Sequence, residues 1–336
     1  MNRNINRRDA QRLLLGAGWA AATATTAISV KAQTNYPSKN MQIVVPYSAG
    51  GTTDVVARAL AVGLAKFSKF PIIVENRPGA SSTIGAGVVA RAQPDGHTVL
   101  VTTGSTATLL PHTLTMPFDP LKTLTAVSEV SRTPLFLYAN PDIPVKDLKG
   151  LIGWMKANPG RITYGSYGQG TAGHFGGVLL ARAAGVEMLH VPFQGGAPAL
   201  QAVVGGHVQL LIDAYQPGME QVKAGKVLAL AVSSPERSPY APAVPTFREL
   251  GYQDVEFISG FFGLFAPAGT PHDVVDRLNA MVTEVARSAD FQAALPKLGV
   301  LPPRPLKPAE LQASIQRDNA AWAKLVKEIG YRRGDG

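Results

Sequence analysis

Near the start of the chain, an apolar segment, a Gly-Gly turn and a helical pattern follow one another directly. Ile43-Val44-Val45 are β-branched residues typical of a buried strand, and Gly50-Gly51 predicts a turn. From Val55 onward, apolar residues recur at helical spacing. A strand that enters a helix through such a turn aims the free N–H groups of the helix N-terminus at one point, with the positive end of the helix dipole behind them. The segment therefore predicts an α/β fold with a carboxylate or phosphate site, although an ordinary βα loop without a ligand is the alternative.

Residues 1–32 have the parts of an export signal. Four arginines precede an uncharged apolar run at 13–28, and Val30-Lys31-Ala32 places small residues where a signal peptidase cleaves. The run is too short and too rich in threonine for a membrane anchor, so we predict cleavage near Ala32 and a periplasmic mature protein. Arg7-Arg8 is typical of twin-arginine export, but the residues after it lack the usual apolar pair, which leaves Sec export open.

The composition argues against several classes of protein. The 336 residues include no cysteine, so we expect neither disulfides nor a lipid-modified cysteine. Residues 33–336 contain 27 basic and 22 acidic residues, a net charge of +5, without a basic stripe that would predict nucleic-acid binding. The six histidines are scattered without metal-ligand spacing, so neither a metal site nor a cofactor is predicted.

Short apolar strands alternate with amphipathic helices, and about 300 mature residues are too many for one core. Prolines cluster at two places, which indicates that a middle segment is inserted into a first domain. We predict a first lobe from 33–139 and 256–336, a second lobe at 140–255, and mixed, mostly parallel sheets. Two connections between the lobes would form a hinge that closes over a ligand. The predicted strands are 43–46, 72–75, 98–102, 135–139, 162–165, 188–191, 210–212 and 228–232, and the predicted helices are 53–65, 84–92, 145–157, 173–184, 197–204, 271–287 and 308–328.

The middle segment repeats the succession of strand, glycine loop and helix. Ile162–Gly165 is the predicted strand, and Ser166–His174 is a loop rich in glycine and hydroxyl groups. One anion-receptive helix N-terminus in each lobe would hold a ligand from both sides of a cleft. Gly168-x-Gly170-x-x-Gly173 also matches the dinucleotide fingerprint, but the next strand, ending at His190–Gln194, lacks the acidic residue that binds ribose. An NAD-binding protein is therefore a disfavoured alternative.

No catalytic motif is evident in the sequence. It contains neither a GxxxxGK[ST] phosphate loop nor a GxSxG nucleophile turn. Asp54, His174 and Asp213 could meet as a catalytic group, so an exported hydrolase-like enzyme is the alternative function. However, an aspartate at a helix start is more often a cap, and one at a strand end more often orders the following loop. These residues therefore yield no catalytic set.

Several segments resemble the Bug-type receptors of tripartite tricarboxylate transporters. They include Val45–Asp54 (VPYSAGGTTD), Glu75–Ala80 (ENRPGA), Gln93–Thr98 (QPDGHT), Gly168–His174 (GQGTAGH) and His190–Gly195 (HVPFQG), and the match extends in order over nearly the whole mature chain. The resemblance implies a two-lobed, Venus-flytrap fold of the periplasmic-binding-protein type II class. It also implies that the two glycine loops hold a small carboxylated solute, partly through ordered waters, for membrane transporter subunits or a sensor ectodomain. A monomer is expected because the lobes must open and close.

The predicted ligand contacts come from both glycine loops and from positions that follow other strands. Backbone N–H groups and hydroxyls would bind the solute oxygens, and two rings would line the cleft. Ser105 is included because the resemblance places further cleft contacts at its turn, and Asp213 because it matches an aspartate of the family pattern. The predicted set is Tyr47, Ser48, Gly50, Gly51, Thr52, Thr53, Asp54, Ser105, Ser166, Gly168, Gly170, Thr171, His174, Phe193 and Asp213.

Overall fold

The computed structural model describes residues 36–333, apart from residues 217 and 259 and the side chains of residues 257 and 258. The predicted export signal lies outside the described residues. Over the described range the strands β1 to β10 are Met41–Val45, Ile72–Asn76, Thr98–Thr103, Leu124–Thr133, Phe136–Ala139, Thr163–Ser166, Leu189–Pro192, Leu210–Asp213, Leu228–Val232 and Gly260–Pro267. The helices α1 to α12 are Thr52–Leu64, Thr83–Ala90, Ser105–Thr108, Leu110–Thr113, Pro120–Thr123, Leu148–Ala157, Ala172–Ala184, Gly196–Val204, Gly218–Lys223, His272–Arg287, Ala289–Leu298 and Pro308–Glu328. Short 3-10 helices span Ala65–Phe67, Ala80–Ser82 and Gln253–Ile258.

The strands form two five-stranded mixed sheets of the same design. In the first, with order β2-β1-β3-β10-β4, β1 is parallel to β2 and β3, whereas β10 is antiparallel to β3 and β4. In the second, with order β7-β6-β8-β5-β9, β6 is parallel to β7 and β8, whereas β5 is antiparallel to β8 and β9. The predicted two-lobed α/β fold with mixed sheets is confirmed. Antiparallel pairs are more frequent than predicted. Parallel pairing arises from local βα units, whereas β5 and β10 each follow a passage of the chain from one sheet to the other.

The chain passes between the sheets at two adjacent places. β4 ends at Thr133 in the first sheet, and β5 begins at Phe136 in the second. The predicted boundary at 139/140 left Phe136–Ala139 in the first lobe, but this strand pairs with β8 and β9, which moves the first crossing to 134–135. The return passage precedes Gly260, and Gly260 is paired with Thr133. The two crossings therefore lie side by side, as a hinge requires.

One apolar cluster extends through both sheets. Ile43 and Val101 contribute to it from the first sheet, and Leu137 and Ile212 from the second, all with at most 1% of their surface exposed. A shift of one residue would turn the apolar side chains of a strand away from this cluster. Their burial therefore fixes the register of these strands. Because the cluster is shared, the two sheets are held together by packing as well as by the chain crossings.

The C-terminal helix contributes aromatic residues to this shared cluster. α12 packs on β4 of the first sheet. Trp322 in the C-terminal half of α12 is buried, and its ring and that of Tyr331 after the helix contact Phe175 of α7, with centroid distances of 5.8 and 4.9 Å. In the described part of the chain, none of the helices combines the length and the apolar character needed to cross a membrane.

Candidate functional site

A narrow cavity with about 40 Å³ of free volume lies between the two sheets, next to the chain crossings. The lobes would have to move apart to admit an organic solute. The residues that line it come from both sheets and from the loops at the ends of their strands. They are Tyr47, Gly51, Thr52, Thr53, Thr103, Gly104, Ser105, Thr133, Leu135, Tyr167, Ala172, Gly196, Asp213, Ala214, Gly260, Phe261 and Phe262.

Three helix N-termini border this cavity. α1 begins after Gly51, α7 after Thr171 and α8 after Gly195, and none of these three N-cap residues forms a side-chain capping bond. The hydroxyl of Thr171 is instead donated back to the carbonyl of Gly168 at 2.6 Å. Since the first N–H groups of a helix lack intrahelical partners, the three helices direct donors and positive dipole ends toward one space. The sequence predicts the first two of these termini, and α8 is an addition.

Asp54 does not line the cavity but orders the first glycine loop. Its carboxylate accepts hydrogen bonds from the N–H of Gly50 at 2.9 Å, from Nε of Arg58 at 3.0 Å and from Nδ2 of Asn76 at 3.0 Å. Asn76 also donates to the carbonyl of Tyr47 at 3.1 Å. Burial by itself would raise the pKa of Asp54, but the bonds from Arg58, Gly50 and Asn76 outweigh it and hold the pKa below its usual value.

The second glycine loop is supported from behind by two stacked histidines. The rings of His174 and His190 lie 3.8 Å apart, inclined by 14°. Nδ1 of His174 accepts the N–H of Gly170 at 3.0 Å, and Nε2 of His190 is 2.8 Å from the hydroxyl of Ser166. That hydroxyl in turn donates to the carbonyl of Gly168 at 3.0 Å. His174, predicted as a ligand contact, is therefore placed where it positions the loop from outside the cavity.

Both histidines are neutral near pH 7. Burial lowers the pKa of His174 to about 4, and burial together with the nearby His174 lowers the pKa of His190 to about 3. The bond from Gly170 fixes Nδ1 of His174 as an acceptor, which requires the proton on Nε2. Nδ1 of His190 is buried without a hydrogen-bond partner among the described residues. A proton on either ring would add an unpaired charge beneath the loop.

Acid is expected to destabilise the protein through these histidines between about pH 6.5 and pH 4. In this window an unfolded histidine binds a proton and buried His174 does not, so the free energy of unfolding falls as the pH falls, by about 1.4 kcal/mol per pH unit for each fully shifted group. His174→Asn retains an acceptor for the N–H of Gly170 but cannot titrate. Urea unfolding of this variant between pH 4.5 and 7 should therefore show a smaller loss in acid than the wild type. An unchanged slope would contradict this assignment.

The cleft is closed by hydrogen bonds between the two glycine-rich faces. The N–H of Ser48 donates to the carbonyl of Gln194 at 3.0 Å, and the hydroxyl of Thr113 donates to the carbonyl of Gly170 at 3.0 Å. The hydroxyl of Thr52 donates to the carbonyl of Gln216. Each of these bonds joins a residue carried by the first sheet to one carried by the second. The structure therefore has its lobes in contact around the cavity.

Aromatic rings form the rest of the cavity wall. Tyr47 and Tyr167 face each other edge to face across the lobes, with centroids 5.9 Å apart. The hydroxyl of Tyr47 is 3.1 Å from that of Thr103. Phe261 and Phe262, at the start of β10, add apolar surface on the hinge side. The site thus combines apolar walls with backbone and hydroxyl donors.

Asp213 ends β8 and lies in the cavity wall. Its Oδ1 accepts the N–H of the adjacent Ala214 at 2.7 Å. Burial raises the pKa of Asp213 to about 7, and the bond from Ala214 only partly offsets this effect. Asp54, His174 and Asp213 each belong to a separate hydrogen-bond network in the described chain, so the geometry does not join them into a catalytic group.

The predicted ligand contacts divide into two groups. Tyr47, Gly51, Thr52, Thr53, Ser105 and Asp213 line the cavity. The others lie behind the wall or at the lobe contact, and the ring of Phe193, for example, lies beside Gly165. This second group consists of Ser48, Gly50, Asp54, Ser166, Gly168, Gly170, Thr171, His174 and Phe193.

Other lining residues are not among the predicted contacts. They come mainly from β3, β4 and β10 and from the start of α8: Thr103, Thr133, Leu135, Gly196 and Phe261 are examples. The Gly195-Gly196 pair after a strand is a signal that could have identified α8 as a third helix terminus. In the described part of the chain there is also no cluster of His, Asp and Glu that could hold a metal ion.

Comparison with known proteins identifies what this architecture is similar to. Residues 56–331 match the model of the tripartite tricarboxylate transporter family receptor. The chain is 34% identical over 324 residues to the protein BugT of Bordetella pertussis. The alignment covers 96% of this chain and 98% of BugT.

Two similar solved structures contain carboxylates. An R. palustris protein with adipate is 31% identical, with a TM-score of 0.85 over 89% of this chain and all of that protein. MatC from Rhodopseudomonas palustris with bound malate is 34% identical, with a TM-score of 0.82 over 87% of this chain and all of MatC.

Proposed function

Because the chain belongs to the tripartite tricarboxylate transporter receptor family, we propose that it captures a small organic carboxylate between its two lobes in the periplasm. The family is one of substrate-binding receptors, and the resemblance to Bug-type receptors is confirmed. The single observation that carries the proposal is the convergence on one cavity of three helix N-termini, from both lobes, whose N-cap residues form no side-chain capping bond.

The chemistry of the cavity favours a carboxylate over a neutral solute. Each helix N-terminus stabilises a nearby negative charge by about 0.3–2 kcal/mol, so two or three termini together give useful affinity. The hydroxyls of Thr53 and Ser105 add donors for solute oxygens. The aromatic walls would cover the carbon skeleton. The adipate and malate of the two similar structures have this chemistry, and we extend their class, that of small dicarboxylates, to this protein.

Capture would proceed by closure about the paired crossings. The predicted lobes, corrected to place residues 136–139 with the second, are joined by the adjacent strand ends at Thr133 and Gly260. A solute that contacts both lobes shifts the population toward the closed form without any chemical step. We propose that the closed, monomeric protein, released from its signal near Ala32, presents the solute to membrane transporter subunits or to a sensor ectodomain.

A thermal-shift screen of residues 33–336 tests this function. The compounds are adipate, malate, citrate, aromatic carboxylates and amino acids, with NAD, ATP and neutral sugars as controls. A solute at 100 times its dissociation constant should add about 2.7 kcal/mol to the free energy of unfolding, which corresponds to a shift of several degrees. A response to a few carboxylates supports the proposal, whereas a response to nucleotides alone would contradict it.

The alternative of an exported hydrolase-like enzyme predicts turnover. Each compound that raises the melting temperature should be incubated with the protein and followed by NMR. Recovery of the compound unchanged after stoichiometric binding is the expected result. Product formation that the Asp213→Asn variant lacks would favour the enzyme instead.

A further inference from the structure

Asp213 gives the cavity an acidic group without a basic counterpart. Among the described residues that line the cavity, it is the only Asp or Glu, and there is no Lys, Arg or His. It is 8% exposed. Its Oδ1 is bonded to the N–H of Ala214, and its Oδ2 lies against Gly196, where an added Cβ would be only 1.9 Å away. A solute that fills the cavity therefore contacts a carboxyl group that no lining side chain neutralises.

The ionisable groups that face Asp213 from the surrounding elements are phenols. On β5, Tyr138 donates its hydroxyl proton to the carbonyls of Ala214 and Tyr215 at 3.0 and 3.1 Å, so this proton is not directed at Asp213. In the loop after β6, the hydroxyl of Tyr167 accepts the N–H of Gly173 at 3.2 Å. Burial raises the pKa of both phenols well above its usual value, so both are neutral at pH 7.

One interaction within the second lobe favours the ionised form of Asp213. α8 begins at Gly196, and its dipole favours a negative charge at that end. The loss of hydration in the closed cavity opposes this effect. Burial raises the pKa of Asp213 to about 7, and a second negative charge in the same cavity would raise it further.

We propose that capture of a dicarboxylate is coupled to the uptake of one proton, which Asp213 and the nearer solute carboxylate share. This inference rests on the proposed function and deepens it. Two ionised carboxylates in contact inside a cavity repel each other, so one of them takes a proton from the solvent, as in the carboxyl pairs of aspartic proteases. The proton then forms a hydrogen bond between the two groups, and no covalent bond between heavy atoms changes. The remaining solute charge faces the N-termini of α1 and α7.

Isothermal titration calorimetry with adipate and with malate tests the coupling. Titrations at pH 8 in buffers of different ionisation enthalpy measure the protons taken up on binding. We expect an uptake approaching one proton per site and an affinity that falls by up to tenfold per pH unit between pH 7.5 and pH 9.

Two aspartate variants separate the coupling from general effects of charge. Asp213→Asn has the same shape and a permanent amide donor, so its solute affinity should be independent of pH in this range, without proton uptake. Asp147→Asn removes one carboxylate from the same lobe at the N-cap of α6, where asparagine also caps. It should retain the proton uptake of the wild type. Melting temperatures check that both variants fold.

The outcomes distinguish this inference from the function on which it rests. Tight binding of a dicarboxylate without proton uptake would overturn the coupling alone. So would an affinity for aspartate or glutamate that exceeds that for adipate and rises with pH, because Asp213 would then pair with a solute ammonium group. Failure of every carboxylate to bind would overturn the proposed function and the coupling together.

Discussion

Gly195→Ala is expected to weaken solute binding by about 10- to 100-fold while both lobes stay folded. A Cβ at this position would lie 2.4 Å from Oγ and 3.0 Å from the backbone nitrogen of Ser48, which is on the opposite lobe. The same contact contains the bond from Ser48 to Gln194. Opening the cleft relieves this overlap, so its cost of about 1–3 kcal/mol falls mainly on the closed form. Calorimetry with the solute identified by the thermal screen measures the loss.

Gly79→Ala is the matched control for this variant. Gly195 has φ 140° and ψ 172°, and Gly79 has φ 126° and ψ 153°, a region that only glycine adopts without strain. At Gly79, however, the new methyl group would meet Ile84 of the same lobe. Both variants should be less stable than the wild type. Only Gly195→Ala should also bind the solute more weakly. Equal affinities in the two variants would contradict the role of Gly195 in closure.

The sequence predicts the alternation of strands and helices well because most elements have local signals. α1, α7 and α10, for example, begin after clear loop residues and carry apolar residues at helical spacing. The two strands that the sequence does not predict, β4 and β10, complete the first sheet beside the hinge. Their placement depends on partners that are distant along the chain.

β4 illustrates why local patterns fail there. Ser128, Glu129 and Ser131 are polar residues in this strand, yet all three are buried. Glu129 is compensated by Arg304, which donates to it from its backbone nitrogen at 2.9 Å and from its side-chain Nε at 2.8 Å. Local sequence patterns do not reveal this partner, which lies 175 residues away along the chain. The alternation of apolar and polar residues that marks a strand is therefore lost.

The candidate site is predictable to the extent that it consists of glycine loops. Both loops are identified from their strand, glycine and helix signals, and Tyr47, Gly51, Thr52 and Thr53 of the first one line the cavity. The second contributes mainly through its helix start and Tyr167, because Ser166 and His174 support the loop from behind. Whether a loop residue faces the solute or the core depends on packing that no local signal records.

Phe175→Ala is expected to cause the largest loss of stability, about 3–5 kcal/mol. Phe175 is fully buried in α7, one residue after His174. Its ring meets that of Trp322 nearly at a right angle (88°) and that of Tyr331 at 60°, and it thereby joins the second lobe to the C-terminal helix of the first. Truncation removes this contact and leaves a cavity at the junction. A chain of this size should lose roughly 10 °C in melting temperature.

Phe70→Ala is the matched control, since Phe70 is 40% exposed on the first lobe. The same truncation there should lower the melting temperature by no more than a few degrees, because it creates no enclosed cavity. If the aromatic contact joins the lobes into one cooperative unit, calorimetry of Phe175→Ala should also broaden or split the unfolding transition. A loss no larger than that of Phe70→Ala would mean that the lobes are held together by the rest of the shared apolar cluster and by the chain crossings.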